Sequence, residues 1–283
     1  MEKTPIRKQI VDRLIAMNDQ LCFFLLIENE FHRRIADFGP GVHDAFTRDV
    51  FARSSYAPKI NVRIGKLSAF QSANRSFTFG AYFSTSYEIA SDFFEVAKEL
   101  LRRTNSINLN LKSLLNKGLE ENYAHALTGF GLVPPPSEVI LTMAYCRHRR
   151  NAFIHMHPIA SNPYAALAAG SGLALNNYWN ATRLPVDFRQ ATVGPLVERE
   201  TIGLIKLLRI AVEVLDEHLA SVLSQTGVLA LLAAECFSAD PVRMNSIVAA
   251  QRCRVLAGRF RSDYGGDVAN AALDHIVRSV GIR

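Results

Sequence analysis

Apolar residues recur every three or four positions along most of this 283-residue chain, a spacing that places them on one face of an α-helix. In the segment 82–103 the apolar stripe consists of Phe83, Tyr87, Ala90, Phe94, Ala97 and Leu101. In the segment 195–224 it consists of Ile202, Ile205, Leu208, Val212, Leu215, Leu219 and Val222. The sequence therefore predicts an all-α fold, built as a multi-helix bundle.

Glycine and proline residues mark the ends of the remaining predicted helices. A first helix is expected over 6–38, where a Gly-Pro-Gly sequence stops it, and a shorter helix follows over 42–54. The segment 56–79 is ambiguous, because its residues 60–64 alternate like a short strand. The other predicted helices cover 107–128, 138–156, 163–180, 228–237, 241–261 and 268–280.

A soft domain boundary is expected near 225–227, where Gly227 interrupts the helical pattern. It separates a helical core, residues 1–225, from a C-terminal helical cap, residues 226–283. A single domain is the alternative, because 283 residues also fit one large domain. Hydrophobic residues make up 49% of the chain, so either arrangement can bury a substantial core.

Composition and charge restrict the partners and the compartment. The formal charge of +6 favours an anionic partner such as nucleic acid, or serves solubility alone. The four cysteines are far apart and no metal-site spacing is visible, so neither a metal nor a cofactor is expected. The most apolar runs, 21–27 and 228–234, are too short to span a bilayer. Together with an N-terminus unlike a signal peptide, these features predict a cytoplasmic protein without a membrane partner.

The densest group of chemically useful side chains is the segment 147–157, Arg-His-Arg-Arg-Asn-Ala-Phe-Ile-His-Met-His, at the end of a predicted helix. One helical turn separates Asn151 from His155, and the long Arg150 side chain can curl toward the imidazole. RNA cleavage by a ribose 2′-hydroxyl needs such a set. A titratable imidazole transfers protons, and a planar guanidinium stabilises the charge on the phosphorane.

The arrangement Arg-Asn-x-x-x-His, formed by Arg150, Asn151 and His155, resembles the signature of the HEPN superfamily, which includes many bacterial toxin and antiphage-defence ribonucleases. The resemblance covers this helix and, loosely, the helix over 82–103; the chain after about 224 has no counterpart. It implies a HEPN-type bundle with a C-terminal helical extension.

The same resemblance implies a metal-independent endoribonuclease that leaves 2′,3′-cyclic phosphate and 5′-hydroxyl ends on RNA. His155 would be the general acid or base, Arg150 would stabilise the phosphorane, and Asn151 would position the phosphate or His155. The family usually builds one site from two facing motifs, and this chain has one, so a homodimer is expected. An antitoxin or a defence-system protein is a further partner that the resemblance implies.

Other charged residues near the motif are candidates for RNA contact or support, although each also fits an ordinary solvated helix face. Four carboxylates share one face of the helix over 82–103, and of these Glu95 and Glu99 are the choices to orient Arg150 or His155. The remaining candidates are Arg147, His148, Arg149, His157, Arg102 and Arg103.

Two functions other than catalysis stay open. One is a non-catalytic helical module that binds RNA or senses a nucleotide. The other is a structural protein that uses its long helices for assembly. The complete Arg-Asn-x-x-x-His sequence favours catalysis over both.

Overall fold

The computed structural model describes residues 1–112, 117–154, 162–190, 194–239 and 247–279. Within these ranges every regular element is a helix, and the nearest approach to a strand is a single bridge between Phe46 and Arg63. The predicted all-α class is therefore confirmed. The helices are α1 (Pro5–Asp37), α2 (Thr47–Val50), α3 (Ala57–Ile60), α4 (Leu67–Asn105), α5 (Leu119–Gly129), α6 (Ser137–Ile154), α7 (Asn162–Trp179), α8 (Glu198–Val222), α9 (Gln225–Ala239), α10 (Ala249–Tyr264) and α11 (Asn270–Ser279).

Helix α1 has clear start and stop signals in the sequence. The Thr4 hydroxyl accepts a hydrogen bond from the Ile6 amide, and Pro5 supplies a backbone angle suited to the first helical turn. The helix ends at Asp37, and two residues later Gly39 adopts a φ of +69°, which a glycine accommodates without strain. The predicted bounds of 6–38 thus differ from the observed bounds by one residue at each end.

Helix α4 is the longest element, at 39 residues, and it begins fifteen residues before the predicted helix over 82–103. The added turns contain three serines and several other polar residues, so they show no clear apolar stripe. Contacts with α1 hold them instead, since Arg75 pairs with Glu28 at 3.3 Å and Phe79 packs edge-on against Phe24. Tertiary packing therefore decides the helical state of this segment.

Two other predictions need correction. Within the described part of 107–128, the predicted helix corresponds to α5 alone, because Ser106 ends α4 with a φ of +57°, and Leu109 and Leu111 enter the core from non-helical backbone. The predicted helix over 42–54 is reduced to the four residues of α2. Residues 60–64 form no strand: they span the end of α3 and the start of a 3₁₀ turn.

Helix α4 forms the centre of the bundle, where it packs against α1, α5, α6, α8 and α9. Its buried aromatic side chains Phe93 and Phe94 meet Tyr123 of α5, and this cluster lies at the heart of the hydrophobic core. The C-terminal helices α9, α10 and α11 pack on one another, and their buried side chains join the same core.

The chain bends between α8 and α9, close to the expected boundary at 225–227. Gly227 does not cause this break, because Leu223 leaves the helix in an extended conformation and the Ser224 hydroxyl then caps α9 by accepting a hydrogen bond from the Gly227 amide. Among the described residues, no single helix has the length and apolar character to cross a membrane; α8 and α9 meet both criteria only as a pair, which is bent by 98°.

Position 227, inside α9, has no room for a side chain because it lies against the backbone of α4. A Cβ at this position would overlap the Thr104 carbonyl and lie 2.6 Å from its carbon. We therefore expect Gly227→Ala to lower the free energy of unfolding by about 1–3 kcal/mol, measured by urea denaturation. The matched control is Gly170→Ala in α7, where nothing lies within 4 Å of the added methyl group. That control should be neutral or stabilise by up to about 1 kcal/mol, and equal losses in the two variants would contradict the contact.

Candidate functional site

The basic segment at the end of α6 ties that helix to three neighbours. Arg147 pairs with Glu120 of α5 at 2.8 Å, Arg149 pairs with Glu200 of α8 at 2.8 Å, and Arg150 pairs with Glu88 of α4. The three arginines leave α6 in different directions because successive helical residues are rotated by about 100°. Each candidate cation of the motif is therefore also part of the packing of the bundle.

Arg150 and Asn151, two of the three predicted catalytic residues, are in direct contact. The Arg150 Nη1 donates a hydrogen bond to the Asn151 Oδ1 at 3.0 Å, while Nη2 faces Glu88. The Arg150 side chain is 28% exposed, against 20% for Arg147 and 2% for Arg149. Arg150 is thus the most accessible of the three, and a guanidinium with five N–H groups retains donors for an external oxyanion.

Close contact between α4 and α6 sets the position of this pair. A Cβ on Gly80 of α4 would overlap the ring of Phe153, so the absence of a side chain at Gly80 lets the end of α6 lie against α4. Phe77, one turn before Gly80, packs against the same ring with the centroids 6.0 Å apart. This contact places Glu88, about two turns along α4, beside Arg150.

The carboxylate that reaches Arg150 is Glu88, rather than Glu95 or Glu99 as expected. Glu95 instead pairs with Lys98 at 3.3 Å, and Glu99 pairs with Arg102 at 2.6 Å. These two carboxylates lie about two and three turns beyond Glu88 on α4, and the register of α4 against α6 leaves them away from Arg150. Their predicted support of His155 concerns a residue outside the described ranges. Glu88 is one of the four carboxylates on one face of the helix over 82–103, but nothing in the sequence indicates that it, rather than the other three, pairs with Arg150.

Arg102 and Arg103 also lie away from the motif, because they are at the far end of α4, roughly 21 Å beyond Glu88. Arg102 forms two hydrogen bonds to Glu99, and Arg103 pairs with Glu235 of α9 at 2.9 Å. The structure therefore places Arg102 and Arg103 apart from Arg150, and their contact with RNA stays a prediction.

Arg147 and Arg149 are anchors within the bundle. Arg147 donates to the fully buried Glu120 and also to Glu121 at 3.2 Å. Burial raises the pKa of Glu120, and the neighbouring positive charge of Arg147 opposes that rise. Arg149 is almost completely enclosed, and its Nε and Nη1 have no hydrogen-bond partner. In this arrangement RNA could not reach Arg149.

His148 is half-buried, and burial lowers the pKa of its imidazole below 6.5. The positive charge of Arg147 lowers it further. The ring is therefore mainly neutral at pH 7, so it adds little positive charge for a phosphate.

His155 and His157 lie outside the described residues. His155 directly follows Ile154, the last residue of α6, in the sequence. No group of three or more histidine, cysteine, aspartate or glutamate side chains within the described ranges has the arrangement of a metal site.

Comparisons with known proteins assign no family to the chain: no family model matches the sequence, and no curated protein or solved structure is significantly similar to it. The resemblance to the HEPN superfamily therefore depends on the Arg-Asn-x-x-x-His residues and on the all-helical fold. Any assignment of function has to be argued from the site itself.

The lowered pKa of His148 predicts a specific loss of stability in acid. A folded-state pKa below the unfolded value stabilises the fold above about pH 6.5, and this contribution is lost as the pH falls through that value toward the folded pKa. We expect His148→Gln to lose less thermal stability than the wild type between pH 7.5 and pH 5. The same substitution at His125, an exposed residue of α5, is the control. An identical loss in the wild type and in His148→Gln would contradict the assignment.

Proposed function

We propose that the chain is a metal-independent endoribonuclease of HEPN type that acts through Arg150, Asn151 and His155. One observation carries the proposal: the side chains of Arg150 and Asn151 are joined at the end of α6, with the guanidinium partly exposed. The sequence places a titratable imidazole, His155, four residues beyond Asn151. These are the groups that an internal transesterification of RNA requires.

The reaction follows from the chemistry of these side chains. The imidazole of His155 takes the proton from the ribose 2′-hydroxyl or, in its protonated form, gives one to the departing 5′-oxygen. The 2′-oxygen forms a bond to phosphorus and the bond to the 5′-oxygen breaks, which leaves a 2′,3′-cyclic phosphate and a 5′-hydroxyl. Arg150 donates N–H groups to the phosphorane oxygens, where negative charge develops.

Exposure and pairing favour Arg150 over its neighbours for this role. Arg149 is enclosed beside Glu200, and Arg147 is committed to two carboxylates. Glu88 fixes the orientation of the Arg150 guanidinium from the facing helix, and Asn151 holds its other side. Such support is what keeps a catalytic cation in place without closing it to substrate.

The same ion pair also favours the main alternative, a non-catalytic module that binds RNA or senses a nucleotide. Glu88 partly neutralises Arg150, so an incoming phosphate must share the guanidinium with a carboxylate. That competition would be tolerated in a weak phosphate contact that never has to stabilise a transition state. The biological setting proposed for either function, a toxin or an antiphage defence with an antitoxin or defence-system partner, derives from the family resemblance.

The purified chain is expected to cleave mixed RNA in EDTA and to leave 2′,3′-cyclic phosphate ends. The reason is that an imidazole and a guanidinium can supply the proton transfer and charge stabilisation. His155→Ala and Arg150→Ala should each lower the cleavage rate by about 10²–10³, while Arg34→Ala, an exposed arginine of α1, should not. Arg150→Lys should restore little activity, because an ammonium group cannot reproduce the planar fork.

RNA affinity measured on the same variants separates catalysis from binding. If Arg150 stabilises a charge that develops only in the transition state, its removal lowers the cleavage rate far more than the RNA affinity. If the rate and the affinity of Arg150→Ala fall together by only a few-fold, with the thermal midpoint unchanged, Arg150 is an ordinary phosphate contact. Cleavage that stops in EDTA and returns with Mg²⁺ would exclude the proposed mechanism.

A composite site further requires that two motifs face each other across a dimer. We propose that the Arg150 face provides this contact, since Phe77 and Ile154 leave exposed apolar surface beside it. The active species should then have twice the 31.4 kDa mass of the chain, or a multiple of that dimer, in light scattering at micromolar concentration. A strictly monomeric chain that retains full cleavage would contradict a composite site.

A further inference from the structure

Helix α1 exposes large apolar side chains on the face that points away from the bundle. Ile15, Phe23, Leu26 and Ile27 are between 39% and 62% exposed, and the thiol of Cys22 lies among them. The opposite face of α1, with Ile10, Leu14, Leu21 and Leu25, is already buried in the core. Phe23, Leu26 and Ile27 adjoin one another on this face, and grouped exposed apolar side chains mark an interaction surface more often than isolated ones do.

Ile15, Cys22, Phe23 and Leu26 form the middle of a longer stripe on α1, and Ile27 lies beside that stripe. With about 100° per residue, the members of this stripe fall within an arc of about 100°, and the stripe is about 44 Å long. All of them are exposed. In chain order they are Lys8, Asp12, Ile15, Asp19, Cys22, Phe23, Leu26, Glu30, Arg33 and Asp37.

The charges along this α1 stripe complement a second copy of the stripe in antiparallel orientation. When the two-fold axis passes between Cys22 and Phe23, Lys8 lies opposite Asp37 of the second copy, and Asp12 lies opposite Arg33 of the second copy. Cys22 and Phe23 of the two copies then meet at the centre, Leu26 lies opposite Asp19, and Ile15 lies opposite Glu30 of the second copy. In a parallel pair every charge would instead face its own kind, which is destabilising.

Alternative antiparallel registers are disfavoured by the same charges. A slip of one turn in one direction places Asp19 opposite Glu30, and Asp12 opposite Asp37. A slip of one turn in the other direction places Lys8 opposite Arg33. Among these three registers, the charged residues towards the ends of the α1 stripe favour the first, as charged positions at helix–helix interfaces commonly do.

We propose that α1 is a self-association surface, on which α1 of a second copy of this chain packs antiparallel with its centre at Cys22 and Phe23. Arg33 already lies between Glu30 at 2.8 Å and Asp37 at 3.8 Å on its own helix, so its guanidinium is held at the rim of the patch. There it can meet Asp12 of the second copy without first being ordered.

This surface is separate from the candidate active site. Helix α4 meets α1 through Phe79, Tyr82 and Asp92, and it meets α6 through Gly80 and Glu88, on a different side. An α1 pair therefore leaves Arg150 open, and the inference does not depend on the proposed ribonuclease function.

Crosslinking through Cys22 tests the arrangement, because the two-fold axis brings both thiols to the same side of a helix pair whose axes lie about 8–10 Å apart. A short bis-maleimide reagent, applied to the full chain at micromolar concentration, should produce a covalent dimer that Cys22→Ser abolishes. Leu26→Glu should lower the dimer yield by about tenfold, because it places a charge in the centre of the patch. The matched control, Leu173→Glu on α7, changes a leucine that is 62% exposed and should leave the yield unchanged.

Charge reversal tests the register. Asp12→Arg and Arg33→Asp should each weaken the crosslink, and the double variant should restore it, while Arg150→Ala should have no effect on it. Absence of a Cys22 crosslink in the wild type would overturn the proposal. Three other results would also overturn it. These are a dimer that persists in Leu26→Glu, single charge reversals that the double variant does not rescue, and a wild-type chain that binds anionic lipid vesicles through α1 in place of a second copy.

Discussion

The pairing of three arginines of α6 with carboxylates from three other helices is the interaction on which the rest of the structure depends. Two of these ion pairs lie in the interior, where each charged side chain requires its partner. They join Arg149 to Glu200 and Arg147 to Glu120. Removal of one member of such a buried pair typically costs about 3–5 kcal/mol, because an uncompensated charge remains. These pairs fix α6 against α5 and α8, and the third pair, Arg150 with Glu88, closes the contact with α4 at the protein surface.

The elements that sequence predicted well are those with an amphipathic stripe of their own. Helices α1 and α8 and the C-terminal half of α4 show the helical repeat because one face of each is buried and the other is not. The first four turns of α4 lack that repeat, and contacts through Arg75 and Phe79 decide their conformation. The sequence predicts a helix over 107–112, whereas the backbone there is not helical. Leucines such as Leu109 and Leu111 indicate burial, but they do not indicate which backbone conformation carries them into the core.

The candidate site was predictable in part for a similar reason. The sequence alone indicated that Arg150 and Asn151 lie close together, because they are neighbours on one helical turn. They were not enough to choose among four carboxylates on one face of α4. That choice depends on the register of α4 against α6, which the absence of a side chain at Gly80 determines through its contact with Phe153. Likewise, only packing distinguishes Arg149, enclosed and structural, from the accessible Arg150 next to it.

The central position of α4 explains how one small bundle can hold two surfaces with different properties. One side of α4 supports α6 and orients the partly exposed guanidinium of Arg150 through Glu88. Another side supports α1, whose inward face is buried against the core and whose outward face keeps its apolar residues exposed. Because the two surfaces lie on different sides of α4, a change to the outward face of α1 alters no contact of Arg150. The proposed self-association through α1 and the proposed chemistry at α6 thus use separate surfaces of the same fold.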